Sequence, residues 1–212
     1  MAAIATFTFN PFEENTYVIY NETGNCIIVD PGCSNPEEEI GLTQFITEHK
    51  LKPKLLVNTH GHADHMLGNY FVHQRYGLFP WIHRADEFLL KGAPEQGKMF
   101  GISLKPSPSP SKYLEHGDIL ETGEERFNII HTPGHSPGGI SIVSEKDKWI
   151  IVGDTLFMMS IGRTDLPGGD YNQLIEMIKT RIFSLEDDVT IYSGHGPSST
   201  IGFEKLNNPF LI

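Results

Sequence analysis

Seven residues of this chain, Thr59-His60-Gly61-His62-Ala63-Asp64-His65, hold three imidazoles and a carboxylate directly after the run Lys54-Leu55-Leu56-Val57-Asn58-Thr59. The run reads as a buried strand, apolar at its centre with turn-formers beyond, so the histidines begin where the strand ends. Gly61 and Ala63 leave room for the larger side chains to converge. His60 and His62, two apart in extended chain, can point the same way, whereas the adjacent Asp64 and His65 diverge unless the chain curls between them. Two pairs point to two metals. A lone histidine is usually a satisfied structural residue, but that reading does not account for four ligand-type residues in six. Imidazole and carboxylate are ligands that zinc, iron and manganese accept.

Three further candidates each follow an apolar, strand-like run. Phe127-Asn128-Ile129-Ile130 leads into His131-Thr132-Pro133-Gly134-His135, Trp149-Ile150-Ile151-Val152 into Gly153-Asp154-Thr155, and Val189-Thr190-Ile191-Tyr192 into Ser193-Gly194-His195-Gly196. In layered α/β folds strand ends converge on one rim, where loops carry chemistry on a rigid base. Singly these segments are weak evidence; together they describe one cleft.

In their order, Val29-Asp30-Pro31-Gly32, THGHADH, the HTPGHSPGG of His131 to Gly139, the GDTLF of Gly153 to Phe157 and the GHG from Gly194 resemble the metallo-β-lactamase superfamily of hydrolases. Within it they resemble the glyoxalase II-like (hydroxyacylglutathione hydrolase-like) branch. The resemblance runs along nearly the whole chain. It implies an α/β four-layer αββα sandwich, two mixed sheets face to face with helices outside. It also implies that His60, His62 and His135 bind a first metal, that Asp64, His65 and His195 bind a second, and that Asp154 bridges them. Asp30 matches a position behind the ligands, and a carboxylate capping the turn beside Pro31 is an equally good reading. His131 is read as a strand-end structural residue, and His49, His73, His83 and His116 as ordinary surface or helix histidines.

The chain is similar to a compact, single-domain subgroup marked by Gly162-Arg163-Thr164-Asp165-Leu166-Pro167-Gly168-Gly169-Asp170 and by the GHGPSST of Gly194 to Thr200. Arg163 could grip a substrate carboxylate with its fork, or pin its own loop through Asp165 or Asp170. The chain is expected to be one hydrolase domain over residues 1–212. It ends 17 residues after His195, so the C-terminal helical domain with which glyoxalase II enzymes hold glutathione is not expected.

The expected activity is hydrolysis of a thioester, S-D-lactoylglutathione or a related acyl thioester. Two divalent ions, zinc first with iron or manganese also suited, would share a water and lower its pKa, and the resulting bridging hydroxide would attack the carbonyl. One ion would stabilise the oxyanion while Asp64 orients the nucleophile. The alternatives are a single-iron persulfide dioxygenase of the same superfamily, a lactone or ester hydrolase, and a metal-stabilised scaffold that binds a partner without turnover.

Composition agrees with this reading. A length of 212 residues fits one domain with a sizeable core, and 39% hydrophobic content is ordinary for a globular protein. A net charge of −11 argues against a nucleic-acid partner, leaving a small-molecule thioester or ester as the expected partner. No apolar run approaches a membrane span, and the first residues lack the basic-then-apolar pattern of a leader, so a cytoplasmic location is expected. Cys26 and Cys33 are too few for a disulfide framework and are read as reduced thiols, although Cys33, after Pro31-Gly32, could approach the cleft.

Strands are predicted at Phe7–Phe9, Tyr17–Tyr20 and Cys26–Val29, the last two joined by a turn at residues 21–25. Ser34-Asn35-Pro36-Glu37-Glu38-Glu39 announces a helix with a cap, an early proline and acids at its positive end, and Leu42, Phe45, Ile46 and His49 form its buried stripe. Further helices are predicted from Asp64 to Tyr76 and, capped by Asp170 with Gln173 three residues on, from Asp170 to Leu185. Residues 92–117, rich in Pro, Ser, Gly and Lys, are read as irregular chain, either a lid or a surface excursion.

Overall fold

The computed structural model describes residues 2–99, 101 and 104–212. The chain divides into two compact units, residues 1–113 with 121–125 and residues 114–120 with 126–212.

The first unit is built on a sheet whose strands follow chain order: β1 (Ala3–Phe9), β2 (Glu14–Tyr20), β3 (Asn25–Val29), β4 (Lys52–Val57), β5 (Pro80–Ile82) and β6 (Lys112–Tyr113). β1 to β3 pair antiparallel and β3 to β6 pair parallel, making the sheet mixed. The antiparallel β2 to β3 return is a tight turn in which Gly24 N donates to Asn21 O, as the polar run Asn21 to Asn25 predicts. α1 (Pro36–Glu48) carries β3 to β4, α2 (Asn69–Tyr76) follows the histidine segment, and α3 (Glu87–Met99) follows β5. Val18, Ile28 and Leu56 on the strands pack with Leu42 and Ile46 of α1 and Val72 of α2.

The second unit, apart from residues 121–125, is built on β7 (Ile119–Thr122), β8 (Glu125–His131), β9 (Ile140–Ser144), β10 (Trp149–Gly153), the small hairpin β11 (Leu156–Phe157) and β12 (Ser160–Ile161), β13 (Thr190–Ser193) and β14 (Ser199–Thr200). Its main sheet has the order β14-β13-β10-β9-β8-β7. β10 and β13 are parallel, while β8, β9 and β10 alternate. α4 (Tyr171–Met177), continued by a π-turn over Ile178–Ile182, buries Leu174, Ile178 and Ile182 against Ile150, Val152 and Ile191, and α5 (Ile201–Asn207) adds Ile201.

One placement rule holds in both units: the loops that carry the expected ligands leave the carboxyl ends of parallel or co-directed strands. Asp30 follows β3 and His60 follows the adjacent parallel β4; Asp154 follows β10 and His195 follows the adjacent parallel β13. β8 runs in the direction of β10, since both oppose β9, and so brings His135 to the same end. This is where open α/β sheets place their ligands.

Four expectations change. The helix predicted from Asp64 to Tyr76 is two pieces, a 3₁₀ turn over Ala63–Met66 and then α2. Gly68 marks the break: its N–H donates to Pro31 O, and a Cβ there would stand 2.8 Å from that oxygen, so close passage of the Pro31 loop overrides helical continuity. His49 is exposed at the end of α1 and stacks on Phe45 instead of joining the buried stripe. The helix predicted to reach Leu185 turns π at Ile178 and ends at Ile182. Residues 92–99 belong to α3 despite Pro94, and Lys112–Tyr113 form β6; 104–111 are irregular, and 100, 102 and 103 of the expected irregular stretch lie outside the described residues.

Candidate metal centre

In the first unit the segment after β4 folds back on itself. The His60 ring lies 4.8 Å from that of His62 and 4.2 Å from that of His65, and ligand atoms of Asp30, His60 and His65 fall within 4.8 Å of one another. The predicted divergence of Asp64 and His65 is resolved by the 3₁₀ turn, which leaves His65 Nε2 3.8 Å from Asp64 Oδ2. His60, His62 and His65 are buried and Asp64 is half-buried.

Backbone clips hold this segment. Asn58 Nδ2 donates to His65 O at 3.0 Å, Asn10 Nδ2 to Asp64 O at 3.1 Å, and Gly61 N to the buried Asp86 carboxylate at 2.9 Å. Asp30 accepts from Thr59 N at 2.7 Å and from Thr59 Oγ1 at 2.5 Å, and its Oδ2 stands 3.1 Å from His65 Nδ1. Asp30 is thus both the turn anchor and the carboxylate behind a histidine, joining the two readings of its motif. With Nδ1 turned to a carboxylate, His65 directs Nε2 toward Asp64, the tautomer-fixing arrangement of metal-bound histidines.

In the second unit Asp154 lies between two imidazoles. Its Oδ2 is 3.6 Å from His135 Nε2 and 3.6 Å from His195 Nε2. These separations exceed hydrogen-bond length. They match ligand atoms sharing an ion, which lie about 3.4 Å apart when each bond to a tetrahedral metal is about 2.1 Å. His135 Nδ1 faces Arg163 O at 2.7 Å, so the Gly162–Asp165 segment holds this imidazole through its backbone. Gly194 N donates to Gly153 O and Ser193 Oγ to Leu156 O, tying the His195 and Asp154 loops together. His131 is structural, as read: its Nε2 meets Pro137 O at 2.9 Å and its carbonyl accepts from Arg181.

The guanidinium of Arg163 forks onto Asp165 through two 2.7 Å bonds, which hold that carboxyl down to about 2. Both side chains are exposed, so solvent screens the pair. Cys26 and Cys33 are buried free thiols, that of Cys26 pushed by burial up to about 12 and that of Cys33 higher, so neither supplies a thiolate near neutrality.

Sequence reading passed over Glu14, the first residue of β2. It is fully buried, its Oε1 3.8 Å from His65 Nδ1, and burial drives its carboxyl well above the ordinary range while His65 opposes that rise. The strand predicted at Tyr17–Tyr20 begins three residues earlier, at Glu14, so the sequence reading left this acid outside the strand.

The metallo-β-lactamase superfamily model matches residues 9–195. The chain belongs to this superfamily. It is 40% identical over 202 residues to hydroxyacylglutathione hydrolase GloC of Haemophilus influenzae, covering 94% of this chain and 93% of that one. Among solved structures it is similar to the BLEG-1 B3 metallo-β-lactamase, with a TM-score of 0.90 and 32% identity over 99% of each chain, and to TTHA1623 in a di-iron-bound form, with a TM-score of 0.88 and 32% identity over 98% and 100%. The expected fold class is therefore that of the superfamily. Its histidine and aspartate clusters suit divalent metal ions, and the chain is a superfamily metallo-hydrolase. Among the described residues no helix is long and apolar enough to cross a membrane.

Proposed function

We propose that the protein is a two-metal thioester hydrolase of the hydroxyacylglutathione hydrolase type. His60, His62 and His135 would hold one divalent ion, Asp64, His65 and His195 the other, and Asp154 would serve both. The observation that carries the reading is Asp154 itself, a carboxylate oxygen equidistant from two histidines assigned to different ions. The GloC relative supports the substrate class, and the mixed nitrogen and oxygen donors suit zinc, with iron and manganese also accommodated.

Bound divalent ions would supply a hydroxide nucleophile near neutral pH and polarise the substrate carbonyl. The chain's own groups do the remainder. Asp64, half-buried next to His65, would hold an ion and orient that nucleophile. Asp30 holds His65 and the Arg163 carbonyl holds His135, so both imidazoles keep the nitrogen that faces the ions. Because its pairing with Asp165 is solvent-screened, Arg163 can exchange that partner for a substrate carboxylate.

The test is hydrolysis of S-D-lactoylglutathione by protein of counted metal content, beside Asp64→Asn and with a β-lactam as second substrate. Thioester turnover that falls at least 100-fold in the variant, without comparable lactam turnover, is the expected result. No thioester turnover by protein loaded with two ions would sink the thioesterase reading.

A further inference from the structure

We propose that Glu14 is a positioning residue of the metal centre: its buried carboxyl, packed behind His65 beside Asp30, fixes that imidazole and so sets metal affinity at the position His65 serves. This rests on the two-metal reading above. Glu14 opens β2, whose first six residues are all buried, and is itself wholly inaccessible. A strand in that setting gains nothing from an acid as packing, since a buried carboxyl needs a compensating partner.

The surroundings are built around the carboxyl. Its Oε2 accepts from Thr16 Oγ1 at 3.0 Å, and Thr16 Oγ1 in turn accepts from Gly32 N at 2.9 Å. A Cβ on Gly32 would overlap Oε2, so the turn after Asp30 leaves open the space the acid fills. Oε1 has no hydrogen-bond partner among the described residues and stands 3.8 Å from His65 Nδ1, the nitrogen already met by Asp30 Oδ2 at 3.1 Å. Asp30 and Asp64, the acids that act on Glu14, both raise its carboxyl, while the His65 ring beside it lowers it. Two carboxyls thus converge on one face of one imidazole and leave Nε2 to the ligand side.

The experiment titrates chelator-stripped protein with Zn²⁺ against a chromophoric competitor, in wild type, Glu14→Gln, Thr16→Val and His195→Ala, with metal-free melting measured in parallel. Wild type is expected to bind two equivalents, and His195→Ala to lose the one assigned to the His65 position. Glu14→Gln should weaken that same equivalent at least tenfold, leave the other unchanged, and melt metal-free no lower than wild type. Thr16→Val, which frees Oε2, should weaken the same equivalent by less. Glu14→Gln binding both equivalents as wild type does, or weakening both alike with a lowered metal-free melting temperature, makes Glu14 mere packing and overturns the proposal. Should Glu14→Gln not fold, Thr16→Val decides by the same criteria. A single equivalent in wild type overturns the two-metal reading itself, and this proposal with it.

Discussion

Asp30 holds its backbone at φ 47°, in the left-handed region where aspartate and asparagine are the best-tolerated side chains after glycine. The same residue satisfies the buried Thr59 N–H, so backbone preference and hydrogen bonding act together at this position. Asp30→Asn keeps the backbone preference and an acceptor for Thr59, and should cost about 1 kcal/mol; Asp30→Ala loses both and should cost about 3 kcal/mol. Urea unfolding of metal-free protein measures the two, and equal costs would show that neither the backbone preference nor the acceptor carries weight here. The buried thiols give a second residue-scale expectation. In the unfolded chain Cys26 ionises near 9.0, but in the fold only near 12. The folded state then holds the extra proton, so its stability is intact below pH 9 and falls as pH rises toward 12, by about 1.4 kcal/mol per pH unit for this thiol. The urea midpoint should decline from pH 9 to 11, and neither cysteine should react with a thiol reagent at pH 8 before denaturation. Rapid native labelling would contradict the sealed environment. The proposed metal ligands were legible as residues because chemistry restricts such groups to a few types at strand ends. Glu14, Asn10 and Asn58 were not, because each acts on a partner several residues to more than fifty residues away, and no local pattern marks such a pair.

At the scale of elements, α4 shows what sequence states clearly and what it omits. Asp170 caps it as predicted, Oδ1 accepting from Gln173 N at 2.9 Å, and Asp170→Ala should lower stability by about 1 kcal/mol in the same unfolding assay. The Asp170 N–H to Gly134 O bond survives that change because it is backbone to backbone, so a loss of several kcal/mol would mean the cap also holds the His135 loop. The π-turn at Ile178 left no trace in the spacing of Ile175, Ile178 and Ile182, since one wide turn shifts an apolar stripe too little to detect. Its reason is tertiary: Arg181 from this turn reaches the His131 carbonyl at the end of β8. The break at Gly68 was hidden for the same reason, being imposed by the Pro31 loop and not by the residues of the helix.

For the molecule as a whole, the strand-end rule divides each sheet into a rim that carries chemistry and a rim that does not. The turn at residues 21–24 feeds the amino end of β3, and the turn at 145–148 feeds the amino end of β10, each a full strand length from Asp30 and Asp154 of the proposed metal centre. Both turns are surface excursions of the kind that accept added chain. A short peptide inserted between Glu22 and Thr23, or between Glu145 and Lys146, should leave Zn²⁺ uptake within twofold of wild type, whereas the same insert between Gly134 and His135 should abolish one equivalent. Purification handles, reporters or new termini therefore have two ready points of attachment on this scaffold.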